Sequence, residues 1–389
     1  MFLVWVGVGL LCYWVYYKYF ICEKVKLYYD SNNSDIEYLV KHTYNLRSEF
    51  CPTPYLTNEH LQTIFNVAFR PDINWFSYDS EDFTFSCGGR IILDWVHDNR
   101  PIEEQHKENE ITDESPIMIV FAGVCGGSKE IEIKHFVSNA VRDACMRAVV
   151  VNYRGAQTGL NTPIFGLTTE DMGIVLRHIK SKYPKSKAMI GCGFSLGSNI
   201  MTKYLGEVGS DTPIDFAIAV SNPFELGRSS ERLRTEFINN LIYDKVFTKK
   251  RKELILAHEH LYENTPVKID QVKRVSSTME FDDAVSKVLL GGDSLSGFYQ
   301  QCSCSDDVAH VKVPILFLSS LDDPISCKGV IPYSNFAKNS NTILATTKRG
   351  GHVAWLDGMA PYKALPSWME RTCVQFAKAC VALKEKKGQ

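Results

Sequence analysis

One short stretch constrains this chain more than any other. Ala188-Met189-Ile190-Gly191-Cys192-Gly193-Phe194-Ser195-Leu196-Gly197 holds the pattern G-x-S-x-G. An apolar run precedes the serine, and a helical run, Ser198 to Leu205, follows it. A strand that turns at once into a helix leaves no space for side chains beside the turn, so small residues must flank the serine. Gly193 and Gly197 meet that need. The turn exposes the Ser195 hydroxyl, and the helix N-terminus behind it favours developing negative charge. Five residues of this kind recur by chance; the strand-turn-helix setting gives the pattern its meaning.

The rest of the chain supplies a sheet for this turn. Arg90 to Val96, Ile117 to Phe121, Ala148 to Val151, Ala188 to Ile190, Phe216 to Val220, Ile315 to Leu318 and Thr342 to Ala345 are short, β-rich runs. Helical stretches such as Ile131 to Arg142 and Glu170 to Lys182 separate them. Continuous apolar runs of this length suit strands buried on both faces, which predicts an α/β fold with a mostly parallel sheet between helices. A polar, charged loop is expected from His97 to Glu114. From about 224 to 300 the rhythm breaks into long polar and apolar side chains, as in Glu236-Phe237-Ile238 and Lys252-Glu253-Leu254-Ile255-Leu256. So long a connection predicts a helical cap inserted over the sheet edge, since connections are usually short.

A serine hydroxyl is a weak nucleophile until a base takes its proton. Where a serine stands at such a turn, the acid and the histidine follow it in chain order. Of ten histidines, His352 lies just past the last strand, in Arg349-Gly350-Gly351-His352-Val353. The acid should end the preceding strand, where Leu321-Asp322-Asp323-Pro324 offers two candidates. Asp323 is preferred because it directly precedes the proline; Asp322 stays open, and either could serve only as turn chemistry. A tetrahedral intermediate needs two backbone N–H donors. Leu196 follows the serine, and Val124 lies in the loop Ala122-Gly123-Val124-Cys125-Gly126-Gly127-Ser128 after an early strand. That loop lacks the G-K-[ST] ending of a phosphate cradle.

The N-terminus reads as a membrane segment. Phe2 to Tyr17 carries no charged side chain, and Tyr19, Phe20 and Ile21 resume the apolar run after Lys18. A span needs about 20 mostly apolar residues, and Lys18 can snorkel to the interface. No basic stretch precedes the run and no small-x-small site follows it, which argues against a cleaved signal peptide. The chain thus divides into an anchor over 1–22, a lead-in segment over 23–75 and a catalytic domain over 76–389. Lys18 near the end of the anchor and Lys24 and Lys26 after it favour the cytoplasmic side for the domain, and the orientation stays open. Asn32-Asn33-Ser34 fits a glycosylation pattern, which matters only on the luminal side.

The 389 residues are 45% hydrophobic and 23% charged, with a net charge of -2, so the composition is globular and nucleic acid is not an expected partner. Twelve cysteines include no C-x-x-C pair; Cys302 and Cys304 lack zinc-knuckle spacing, most of the cysteines read as small buried thiols, and nothing indicates a disulfide scaffold. His258 and His260 have no carboxylate or cysteine cluster beside them. No metal and no cofactor are expected.

Several stretches together resemble a known family. They are Cys51-Pro52-Thr53-Pro54, His60-Leu61-Gln62-Thr63, Leu93-Asp94-Trp95, Gly123 to Ser128, Val151-Asn152-Tyr153-Arg154-Gly155, the serine turn, Lys203-Tyr204-Leu205-Gly206-Glu207, Leu321-Asp322-Asp323-Pro324 and Gly350-Gly351-His352. The chain resembles the membrane-anchored α/β-hydrolase-domain proteins that include acylglycerol lipases and medium-chain phospholipases. The resemblance implies the α/β-hydrolase fold, the triad Ser195, Asp323 and His352, and one N-terminal anchor with the domain often outside the cytosol. Two positions depart from the family pattern. Ala122-Gly123 stands where His-Gly is common, and Gly197-Ser198 replaces a usual Gly-Gly. His352 to Asp357 also fits an H-x4-D acyltransferase pattern, but His352 is already needed as the base. The expected activity is cleavage of lipid carboxylic esters, acylglycerols or phospholipids, at a bilayer. Acyl transfer to an alcohol is the second reading. A catalytically silent, receptor-like lipid or steroid binder is the third.

Overall fold

The computed structural model describes residues 1–100, 111–156, 161–163 and 166–388. The strands, in chain order, are β1 (Glu23–Lys24), β2 (Lys26–Tyr28), β3 (Glu49–Phe50), β4 (Phe76–Thr84), β5 (Arg90–Asp98), β6 (Ile117–Phe121), β7 (Arg147–Asn152), β8 (Met189–Phe194), β9 (Phe216–Val220), β10 (Ile315–Ser320) and β11 (Thr342–Thr347). Nine of them form one sheet in the order β2-β11-β10-β9-β8-β6-β7-β5-β4. Its centre, from β7 to β11, is parallel. β2, β5 and β4 pair antiparallel at its two margins.

The central strands β6, β8, β9, β10 and β11 are buried along their whole length. Alternate side chains serve two separate cores: Met118 and Val120 pack on one face, Ile117, Ile119 and Phe121 on the other. This is why the strands read as unbroken apolar runs rather than as alternation. β5 runs on through Asp98, so the expected polar loop starts later than His97, and residues 101–110 of it lie outside the described residues.

The longer helices before the insertion are α1 (Phe2–Tyr16), α2 (Ser34–His42), α3 (Glu59–Ala68), α4 (Ile131–Ala144), α5 (Thr169–Lys182) and α6 (Leu196–Val208). α5 begins where the Thr168 hydroxyl accepts the Asp171 N–H, a side-chain cap, and buries Met172, Val175, Leu176 and Ile179 at helical spacing. Between β9 and β10 the chain is helical from Leu226 to Cys302, interrupted by turns. This insertion has its own small core of Ile255, Tyr262, Val272, Phe281 and Val285. Arg251 pairs with Asp282 inside it at 2.5 Å, and the Tyr299 hydroxyl donates to the same carboxylate at 3.0 Å. A C-terminal helix, Trp368–Gly388, packs Trp368, Met369, Cys373, Phe376, Ala377 and Cys380 onto one face of the sheet.

Helix α1 continues through a π-helical stretch, Tyr17–Ile21. Among the described residues one helix, Val4–Ile21, is long and apolar enough to cross a membrane, and only 6% of it is buried. The Tyr17 hydroxyl donates to the Pro52 carbonyl at 2.5 Å, Tyr13 does the same to Pro54, and Lys18 pairs with Glu49 at 2.8 Å.

One expectation is corrected here. Cys22 and Cys51 form a disulfide, so not every cysteine is a lone thiol. The cause is register: β1 and β3 pair antiparallel with Glu23 opposite Phe50, which carries the neighbouring Cys22 and Cys51 face to face. Strands of two residues leave no periodic trace, and 29 residues separate the partners. Cys192, Cys304, Cys373 and Cys380 are buried thiols.

Candidate active site

Ser195 sits between β8 and α6 with φ 51° and ψ −121°, a backbone state L-residues rarely adopt. Its neighbours explain how it is reached. A Cβ on Gly193 would stand 2.5 Å from the Ser198 Cα, and one on Gly197 would collide with the carbonyl oxygens of Phe121 and Ala122. Only glycine fits at either place. The strained turn is held because the Ser195 N–H donates to the Val220 carbonyl at 2.9 Å and the Ser198 hydroxyl donates to the Ser195 carbonyl at 2.6 Å.

His352 and Asp323 come to this turn from the ends of β11 and β10. His352 Nε2 lies 2.9 Å from Ser195 Oγ, and His352 Nδ1 lies 2.8 Å from Asp323 Oδ2 and 3.0 Å from Oδ1. Asp323 is only 1% exposed. Its Oδ1 also accepts the N–H groups of Ile325 (2.8 Å) and Ser326 (2.7 Å), which fixes the carboxylate against rotation. From the insertion, Arg232 donates to the Asp323 carbonyl at 2.5 Å and Asn239 donates to the Pro324 carbonyl at 2.7 Å. Asp322 points elsewhere: it accepts the Ser320 hydroxyl and the Gly351 N–H, the latter at 3.0 Å. Burial, aided by nearby Glu59 and Asp323, pushes its carboxyl up to about 6.

Leu196 opens α6, so its N–H belongs to the first turn, which has no intrahelical acceptor. Gly123 lies against the nucleophile, with a Cβ there meeting Ser195 Cβ at 3.3 Å, and Val124 follows it. A buried polar cluster supports this loop. Asn152 donates to Asp94 at 2.8 Å, the Ser128 hydroxyl donates to the same carboxylate, and the Ser128 N–H donates to Asn152 at 2.9 Å. Tyr153 donates its hydroxyl to the Ala122 carbonyl. The motif stretches Leu93-Asp94-Trp95 and Val151-Asn152-Tyr153 thus meet at one loop, although nothing in their spacing said so. Ala122 carries no polar side chain there and packs into the core, and Tyr153 braces its carbonyl.

A cavity of about 250 Å³ opens from Ser195 under the insertion, lined by Leu196, Ile200, Leu226, Leu233, Phe247 and Ile325 among others. Arg251, Asp282 and Tyr299 line it as well. Asp357, the aspartate of the H-x4-D pattern, is turned away and pairs with Arg371 at 2.5 Å.

A protein of Picea glauca named Embryogenesis-associated protein EMB8 is 31% identical over 334 residues, covering 83% of this chain and 70% of that protein. Phospholipase ABHD3 of Homo sapiens is 29% identical over 387 residues, 96% of this chain and 90% of that protein. The chain belongs to the α/β-hydrolase family. A Monoacylglycerol lipase of Saccharomyces cerevisiae is 26% identical to this α/β-hydrolase, over 78% of the chain and 73% of the yeast protein. No family profile matches. The α/β-hydrolase is a carboxylic ester hydrolase of the lipase and esterase type.

Proposed function

We propose that Ser195, His352 and Asp323 form the catalytic triad of a membrane-anchored enzyme that cleaves lipid carboxylic esters, acylglycerols or phospholipids. The observation that carries this reading is the unbroken contact line Ser195 Oγ–His352 Nε2–Asp323, at 2.9 and 2.8 Å. His352 takes the Ser195 proton as the oxygen attacks the ester carbonyl. Asp323 holds the imidazole tautomer and stabilises the imidazolium, without taking the proton itself. The oxyanion faces the N–H groups of Leu196 and Val124. His352 then returns the proton to the departing alcohol, leaving the acyl group on Ser195 Oγ. Water, activated by the same histidine, releases the fatty acid.

The apolar lining beside Ser195 suits an acyl chain, and lipid esters agree with the printed names of the lipase and phospholipase relatives. The exposed helix Val4–Ile21 supports an anchor that keeps the enzyme at its substrate. The Cys22–Cys51 bond supports a domain on the oxidising side of that membrane, because disulfides persist there. The lysine count argued for the other side, yet Lys18 is already neutralised by Glu49.

Ser195→Ala tests the core of the reading. Turnover of a short-chain ester should fall by roughly 10⁴ or more, and fluorophosphonate labelling should vanish while the protein stays folded. Retained activity would remove Ser195 from the mechanism. Lipid profiling of cells with and without the active enzyme then identifies the ester.

A further inference from the structure

We propose that Gln62, Thr63 and Asn66 of helix α3 are positioning residues that set where the His352 imidazole stands. The proposal rests on the assignment of Ser195 and His352 made above. Residues 350–356 form neither strand nor helix, and they hold an improbable backbone. Gly351 (φ 62°) is followed by two non-glycine residues in the left-handed region, Val353 (φ 56°) and Trp355 (φ 43°). A β-branched residue there is an outlier that persists only when its surroundings over-determine it.

Helix α3 supplies much of that determination. The His352 N–H donates to Thr63 Oγ1 at 2.9 Å. Asn66 Nδ2 donates to the Val353 carbonyl at 2.8 Å. Gln62 grips Leu356 from both sides, accepting its N–H at 2.8 Å and donating to its carbonyl at 3.0 Å. All three side chains are buried, with exposures of 1%, 5% and 0% for Gln62, Thr63 and Asn66. They reach the backbone of His352 and of residues after it, and none of them lines the cavity beside Ser195.

The helix itself is tied to the core. Asn66 Oδ1 accepts from Arg70 at 3.1 Å, and Arg70 is bound by Glu370 at 2.6 Å. Burial raises the Glu370 carboxyl, but Arg70 outweighs it and holds the group below its ordinary range. A line of contacts thus runs from the C-terminal helix through Arg70 and Asn66 to the carbonyl beside His352. A shift of about 1 Å in a reacting group can cost two orders of magnitude in rate. Groups that grip its backbone therefore act on kcat, while substrate binding is left to other residues.

The test uses the full-length protein in detergent with a short-chain ester. Competent sites are counted by end-point fluorophosphonate labelling, so turnover is expressed per site. Thr63→Val should keep KM within about twofold and lower kcat per site roughly 10- to 100-fold. The fluorophosphonate labelling rate should fall in proportion, and Thr63→Ser, which restores the acceptor, should recover both. Where Thr63→Val yields no labelled sites, Gln62→Leu is read in the same way. Full turnover per site, with loss only in the number of sites, would overturn the proposal and leave α3 a merely structural brace. Ser195→Ala and His352→Ala run alongside. If these two stay active, the triad assignment fails; if they are dead while the α3 variants turn over normally, positioning alone fails.

Discussion

Asp322 and Asp323 are neighbours of the same chemistry, and the fold gives them opposite tasks. Asp323 faces the imidazole and Asp322 faces the Gly351 N–H. Asp323→Asn should lower kcat by on the order of 10⁴ through loss of the imidazole tautomer, whereas Asp322→Asn should cost no more than about tenfold. Steady-state kinetics on one ester decide between them. Asp322 also brings a pH dependence. Asp322 has a carboxyl raised from 3.8 to about 6, so the unfolded chain loses this proton first as pH rises. Stability therefore falls between those values and the penalty is complete above about 6, worth on the order of 3 kcal/mol. Asp322→Asn removes that term while its carbonyl oxygen can still accept from Gly351. Its melting temperature relative to wild type should rise from pH 4.5 to pH 7.5 in thermal scans. The sequence offered both aspartates and favoured Asp323 through Pro324. What it could not contain is the direction of each side chain, which is set by β10 meeting β11.

The elements most visible in the sequence are those whose residues see one environment throughout. Ile117–Phe121 and Phe216–Val220 were readable to the residue because both faces are buried. β4 was missed for the opposite reason: Phe76–Thr84 is an edge strand, largely polar, and its pairing with β5 comes from hydrogen bonds that leave little hydrophobic pattern. The C-terminal helix was missed as well, since its apolar residues are mixed with Lys and Glu along its solvent side. Gln62 and Thr63 of α3 were visible in a family stretch and Asn66 was not, and their grip on the histidine loop depends on a meeting of segments nearly 300 residues apart. The proposed anchor is the element with the plainest expected consequence. Removal of residues 1–21, which spares Cys22, should shift the protein from a carbonate-washed membrane pellet to the soluble fraction. Hydrolysis of a soluble ester should persist, and hydrolysis of lipid in vesicles should fall more steeply. Retention in the pellet would mean that a second surface holds the membrane.

At the scale of the whole molecule, the disulfide and the exposed Asn32 speak to the same question. Asn32 lies on the loop before α2, exposed, within Asn32-Asn33-Ser34. If the domain lies on the oxidising side, protein made in a secretory host should carry a glycan there, and peptide-N-glycosidase should shift its mobility. Asn32→Gln should abolish that shift. A chain with no glycan and a reduced Cys22 would put the domain on the cytosolic side. The sheet order carries a different consequence, one for synthesis. β2 is made well before β11, the strand it pairs with at the sheet edge, where Leu27 meets Ala345. α3 likewise waits for the loop around His352. Both segments must stay unpaired until partners about 300 residues later in the sequence have emerged. A half-made chain therefore carries Ser195 without its histidine partner, and that contact forms only once His352 has emerged.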